Sequence, residues 1–221
     1  MSETAKPVIA IIGGTGNLGS GLASGWAKAG YKVVLGSRSR EKAVDHAARY
    51  KAGVTGEDNV GAARDGDVVV IVVPFSNHAA ALEEIKAEVQ GKIVIDAVVP
   101  LVPPKVSIVQ LPPDGSAALV AKRILGDGVR LVSAFHNIGA AKLRAGLKAE
   151  CDVLVFSDDR EALDAAIDLA NAVARRGVSG GTLANSVAAE AMTSVLIWIN
   201  QHYKVNGAGI MISGLEAKDP S

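Results

Sequence analysis

Between Val8 and Gly19 the chain reads Val-Ile-Ala-Ile-Ile-Gly-Gly-Thr-Gly-Asn-Leu-Gly, an apolar, mostly β-branched run that breaks into clustered glycines and then into a helical pattern carrying Leu18, Leu22, Ala23 and Trp26. A strand that passes through glycines into a helix leaves backbone amides and the positive end of the helix dipole open to a negative group, which side chains would obstruct. That layout is a dinucleotide site. Gly14 is expected to permit the tight turn out of the strand, Gly16 to leave room for the pyrophosphate, and Gly19 to let the helix approach the sheet. Thr15 and Asn17 add short polar groups. Gly30 supplies the helix stop. No Gly-Lys-Ser/Thr closes the loop, which disfavours a P-loop.

The second strand candidate, Tyr31 to Gly36, decides which dinucleotide. An NAD-selective site places Asp or Glu about twenty residues beyond the glycines, to accept from the ribose hydroxyls. This chain places Ser37 and Arg38 there, with Arg40 and Lys42 adding positive charge nearby. A hydroxyl and a planar cationic fork suit a 2′-phosphate, so the expected cofactor is NADP. The bland alternative is a solvated basic turn opening a helix from Glu41 to Tyr50.

Further β-rich runs at Asp67 to Val73, Ile93 to Asp96, Val129 to Ala134 and Asp152 to Phe156 alternate with segments of helical composition. Such alternation predicts an α/β fold with a doubly wound parallel sheet. The unbroken Val68-Val-Val-Ile-Val-Val73 predicts a central strand covered on both faces. Pro74 ends it, and a helix from His78 to about Val89 should follow. The stretch Val98 to Gly115 holds five prolines, too many for a regular element, and is expected to form a stiff loop, either a wall of the ligand site or a rigid crossover without ligand contact.

A helix is expected over Arg160 to Arg175, then a glycine-rich break at Gly177 to Gly181. A long helix should run from Asn185 to Tyr203, capped by Asn185 or Ser186, with more apolar surface (Met192, Leu196, Ile197, Trp198) than one buried face needs. It could pack in a subunit interface or lie across the sheet. The expected division is a dinucleotide-binding domain over residues 1–157 and, over 158–221, a small C-terminal helical appendage that completes the substrate cleft. The tail Glu216 to Ser221 is expected to fray.

With 23 basic and 23 acidic side chains in 221 residues, the net charge is zero, so no global field recruits nucleic acid or an anionic membrane. A small soluble ligand is the expected partner. The single Cys151 cannot form an intramolecular disulfide, and no Cys/His cluster has metal-site spacing. No apolar run approaches the roughly 20 residues of a membrane span, and Met1 to Pro7 lacks a signal-peptide layout. The expected setting is the cytoplasm, without a metal. His46 and His202 read as surface positions on helices, and Cys151 as an inert buried thiol.

The combination of the glycine loop with Gly36-Ser37-Arg38-Ser39-Arg40-Glu41-Lys42 resembles the NADPH-dependent reductases of coenzyme F-420, an 8-hydroxy-5-deazaflavin. The likeness continues through Val73-Pro74 with His78, Val98-Val99-Pro100, the run Ser133 to Ala140, and Leu183-Ala184-Asn185-Ser186 with Glu190 and Thr193. It implies a Rossmann fold, a homodimer, and hydride exchange between NADP and the deazaflavin. On that resemblance Gly14, Thr15, Gly16, Asn17 and Leu18 hold the pyrophosphate, and Ser37, Arg38 and Lys42 the 2′-phosphate. Val73, His78, Val99 and Ala140 line the rest of the NADP site, and His136, Ile138 and Thr193 lie towards the deazaflavin. Direct transfer between stacked rings needs alignment more than a protein acid or base, so no catalytic dyad is expected. None of the tyrosines has the lysine four residues on that a short-chain dehydrogenase would need. Reduction of another small imine, carbonyl or ring compound, and NADP sensing without turnover, are the alternative functions.

Overall fold

A computed structural model describes residues 6–215. The expectations for the first five residues and for the tail from Glu216 to Ser221 lie outside the described residues. In chain order the elements are β1 (Ile9–Ile12), α1 (Asn17–Lys28), β2 (Val33–Ser37), α2 (Arg40–Ala47), β3 (Val54–Asp58), α3 (Asn59–Asp65), β4 (Val68–Ile71) and α4 (Phe75–Ile85). There follow β5 (Ile93–Asp96), α5 (Ala117–Leu125), β6 (Arg130–Ser133), α6 (Ala140–Arg144), β7 (Ala149–Ser157), α7 (Arg160–Val173), β8 (Ala174–Gly181) and α8 (Ser186–Tyr203).

The strands form one sheet in the order β3-β2-β1-β4-β5-β6-β7-β8. All neighbours from β3 to β6 are parallel. Every residue of β1 and β4 is buried, because helices cover both faces and alternate side chains enter different cores. Ile9 and Ile11 join Leu22, Trp26, Phe135 and the α7 residues Leu163 and Leu169 on one face. Ala10 and Ile12 join Leu82, Ile85 and Ile124 on the other. Trp26 meets Phe135 edge-on at 5.7 Å between ring centres and donates its indole N–H to the Leu169 carbonyl at 2.9 Å.

One pairing departs from an all-parallel sheet: β7 runs antiparallel to β6. The only helix between them, α6, has five residues, too short to return the chain across the sheet. β7 therefore starts at the edge where β6 ends. The C-terminal part is also more than helical, since Ala174 to Gly181, expected as the end of a helix and a glycine break, adds β8 parallel to β7. β3 and α3 were not anticipated. α2 stops at Ala47 rather than Tyr50, and α4 begins at Phe75 rather than His78. Neither Asn185 nor Ser186 caps α8 with its side chain: Asn185 donates to the Gly180 carbonyl, and the Ser186 hydroxyl to that of Ser116.

Candidate functional site

β1, β2, β4 and β5 all end on one edge of the sheet, and the strand order reverses between β1 and β4, which opens a crevice there. A cleft of about 960 Å³ occupies it, lined by the glycine loop, Ser37 and Arg38, Asn59, the segment Val72 to Asn77, and the start of the proline-rich loop.

The glycine loop is built for close backbone approach. Gly13, not Gly14, makes the tight turn, with φ +83°, a conformation that costs a side-chain-bearing residue about 1–2 kcal/mol. Gly14 is needed for space, because a Cβ there would lie 2.8 Å from the Ile11 carbonyl oxygen and 2.9 Å from the Leu35 side chain. Gly19 lets α1 touch the loop, since its Cβ would lie 2.7 Å from the Gly14 Cα. At Gly16 a Cβ would meet only the Gly13 carbonyl oxygen, at a tight 3.3 Å. Gly16 begins α1 without a side-chain cap, and no acidic residue sits in the first turn. α4, which starts at Pro74 in the same cleft, is also uncapped. Elsewhere the N-termini of α2, α3, α5 and α7 each receive a side-chain oxygen, from Ser39, Asp58, Ser116 and Asp159. Two helix dipoles with unsatisfied amides thus face one cleft.

At the far end of the cleft Arg38 is exposed and has no ion-pair partner among the described residues. Arg40 differs, being tied to Glu57 at 2.8 Å. Lys42 is exposed on α2, outside the cleft lining. Of the other expected NADP contacts, Thr15, Gly16, Asn17, Leu18, Ser37, Val73 and Val99 line the cleft, whereas Gly14, His78 and Ala140 do not. His78 is buried behind the wall, with Nε2 2.8 Å from Asp96 Oδ2. The other oxygen of Asp96 accepts the Val98 N–H at 3.0 Å. This pair therefore anchors the strand end from which the Val98-Val99 wall departs.

The residues expected beside the second substrate converge after β6. Phe135, with φ +67°, turns the backbone sharply and is held by Trp26. His136 follows, buried, its Nε2 2.9 Å from the Ser133 hydroxyl. Burial lowers the imidazole to about 4, against the pull of Asp96. Thr193 on α8 donates to the His136 carbonyl at 3.0 Å, and Ile138 is buried beside them. Glu190, one turn before Thr193, accepts the Ala117 and Ala118 amides at the N-terminus of α5. Burial raises its carboxyl to about 8, although those two amides favour the charged form.

Sequence reasoning missed Asn59 and Glu84 in the cleft lining, which are joined at 2.9 Å, and gave Asp96 no role. Asn59 lay in a segment without visible periodicity. Among the described residues the buried side-chain polar atoms left without a partner are Asn59 Oδ1, His78 Nδ1, His136 Nδ1 and Asn137 Oδ1, and all four residues follow strand ends on the ligand edge. His46 is half-buried rather than on the surface, bonded to the Ser20 hydroxyl at 2.9 Å. Among the described residues no helix is long and apolar enough to cross a membrane, and no group of three or more His, Cys, Asp or Glu could hold a metal ion.

Residues 8–100 match a family described as "NADP oxidoreductase coenzyme F420-dependent". The chain is 39% identical to a protein of Methanocaldococcus jannaschii named "F420-dependent NADP reductase", over 94% of this chain and 99% of the other. A protein of the same name from Methanothermobacter marburgensis is 40% identical, over 94% of this chain and 98% of its own length. A crystal structure from Arthrobacter sp. FB24 superposes with TM-score 0.80 at 20% identity, covering 94% of this chain and all of that one. That last likeness concerns the fold alone.

Proposed function

This chain belongs to the family of coenzyme F-420-dependent NADP oxidoreductases, and from that premise we propose that its cleft binds NADP(H) and exchanges hydride with coenzyme F-420. The enzyme is an oxidoreductase with two small-molecule substrates. The observation that carries the cofactor half is the opening of two uncapped helix N-termini and the unpaired Arg38 into one cleft. Those groups complement a molecule with a central pyrophosphate and a terminal 2′-phosphate.

The nicotinamide and the deazaflavin between them supply the hydride donor and acceptor. The protein's task is to bind, align and keep water away. In this reading Thr15, Gly16, Asn17 and Leu18 take the pyrophosphate, and Ser37 and Arg38 take the 2′-phosphate, with Lys42 contributing long-range charge. Val73 and Val99 form apolar walls. His78 holds Asp96, which fixes the Val98 amide next to Val99. Gly14 supports the loop from behind, and Ala140 helps to seat α6 on α1 beside it. His136, Ile138 and Thr193 shape the deazaflavin side, where His136 remains neutral and adds no charge.

We further propose that residues 158–221 complete the substrate cleft and that the enzyme is a homodimer in the cytoplasm. Met192, Val195 and Trp198, exposed at 40%, 41% and 48% on one face of α8, support the dimer. The lone thiol Cys151 supports the compartment. The test is to follow NADPH oxidation by the purified protein with and without oxidised coenzyme F-420. Oxidation only with the deazaflavin is expected. NADPH binding without deazaflavin reduction would overturn the reading.

A further inference from the structure

Arg144, which no part of the proposed site uses and which lies outside the cleft lining, reaches the glycine loop at Asn17. It ends α6, and its Nη1 donates to Asn17 Oδ1 at 2.8 Å, across 127 residues of sequence. The approach is built into the packing. Gly21 on α1 has no Cβ, and one placed there would lie 2.8 Å from the Leu143 Cβ and 3.2 Å from the Ala140 carbonyl oxygen. The missing side chain seats α6 on the first turns of α1. Lys142, on the same helix, is bound to Glu150 at 2.6 Å. Arg144 has no carboxylate partner among the described residues. Its guanidinium is held only by a neutral amide oxygen, beside an uncapped helix N-terminus with no acidic residue in its first turn.

Resting on the NADP reading above, we propose that Arg144 is a pyrophosphate-binding residue of this chain. It supplies from outside the loop the positive charge that the glycine backbone lacks. A dinucleotide pyrophosphate carries two negative charges, and α1 offers amides and a half-charge dipole to receive them. A planar guanidinium with donors beyond the one given to Asn17 can bond a phosphate oxygen directly. Arg38 and Arg144 then divide the ligand: Arg38 reads the 2′-phosphate, and Arg144 reads the pyrophosphate common to NADP and NAD.

Four probes separate these roles: NADPH, NADH, ADP-ribose and 2′-AMP, titrated into wild type, Arg144→Ala, Arg144→Lys and Arg38→Ala. Arg144→Ala should weaken NADPH, NADH and ADP-ribose alike, by roughly tenfold, and leave 2′-AMP unchanged. Arg144→Lys should recover part of the loss by restoring charge without the fork. Arg38→Ala should show the complementary pattern, weakening NADPH and 2′-AMP only. The Arg144 side chain is exposed, so both Arg144 variants should melt with the wild type. Unchanged NADPH and ADP-ribose affinity in Arg144→Ala would overturn the proposal, and so would a raised KM for the deazaflavin as the sole effect. Failure of the wild type itself to bind any dinucleotide would instead remove the NADP reading, and this inference with it.

Discussion

The two halves of the ligand edge treat their helix N-termini in opposite ways. Around β1, β2 and β4, α1 and α4 begin without side-chain caps and face an open cleft. After β5, the N-terminus of α5 receives Ser116 and also the buried carboxyl of Glu190, delivered by α8. The first half keeps its positive ends for a ligand, and the second spends them on a side chain of the same molecule. In both, oxygen acceptors meet the same kind of free amides, but a pyrophosphate brings charge while burial holds the Glu190 carboxyl protonated up to about 8. The difference separates a binding surface from a supporting one.

The most severe way to break the open half is Gly16→Val. A Cβ there would meet the Gly13 carbonyl oxygen at a tight 3.3 Å and no other atom closely, so the variant should fold after a shift of a few tenths of an ångström, but its branched side chain fills the phosphate path. NADPH affinity should fall by about a hundredfold or more, some 2.7 kcal/mol, with the melting temperature little changed. Retained affinity by calorimetric titration would show that the phosphates lie elsewhere.

The closed half should fail differently. Glu190→Ala strands two buried amides and should cost about 2–4 kcal/mol of stability, read by urea unfolding. Glu190→Gln keeps an acceptor and should lose the pH dependence instead. The folded carboxyl titrates at about 8, above its ordinary 4.5, so the folded state holds a proton that the unfolded chain has released. Stability from this group is full below 4.5 and declines as pH rises towards 8. A Glu190→Gln variant that keeps that decline would assign it to another group.

Arg38→Ala sharpens the contrast within the open half. Loss of charge-assisted bonds worth about 1.5–3 kcal/mol should weaken NADPH ten- to a hundredfold and leave NADH nearly unaffected. Equal losses would remove the 2′-phosphate assignment. The smallest effect concerns His136, which burial holds at about 4. Its ring should remain neutral in an NMR titration from pH 8 to 5. The unfolded chain would take up that proton near 6.5, so its contribution to stability declines as pH falls from there towards 4. An inflection near 6.5 in the folded protein would mean that the region is open to water.

Legibility followed the same division. The loop from Gly13 to Gly19 and the pair Ser37-Arg38 were readable because their function depends on residues adjacent in the chain. Within that loop the turn was assigned to Gly14, because sequence cannot say which of two neighbouring glycines takes positive φ. β3, Val-Thr-Gly-Glu-Asp, carries no apolar run and sits at the sheet edge, so nothing marked it as a strand. β8 was hidden by Gly177, Gly180 and Gly181. A Cβ at Gly180 would strike the Phe156 ring, and one at Gly177 would press on Ile167 in α7, so these two serve close packing, and only Gly181, with φ +91°, turns the chain at the strand's end. α4 was expected to begin late because it starts at Pro74, without the polar cap that announces a helix.

The strand-loop-helix that can receive a pyrophosphate, the basic turn that favours NADP, and the alternation that requires a doubly wound sheet were all written in the order of residues. Each follows from short-range chemistry: backbone space, charge, and the side-chain periods of strand and helix. Folding in three dimensions was needed to turn His78 inward to Asp96, to close the N-terminus of α5 with Glu190, and to bring Arg144 to Asn17. Those contacts join residues 18, 72 and 127 positions apart. They form because two-sided burial of the sheet brings helices together, and no local propensity of the residues themselves encodes which partners then meet.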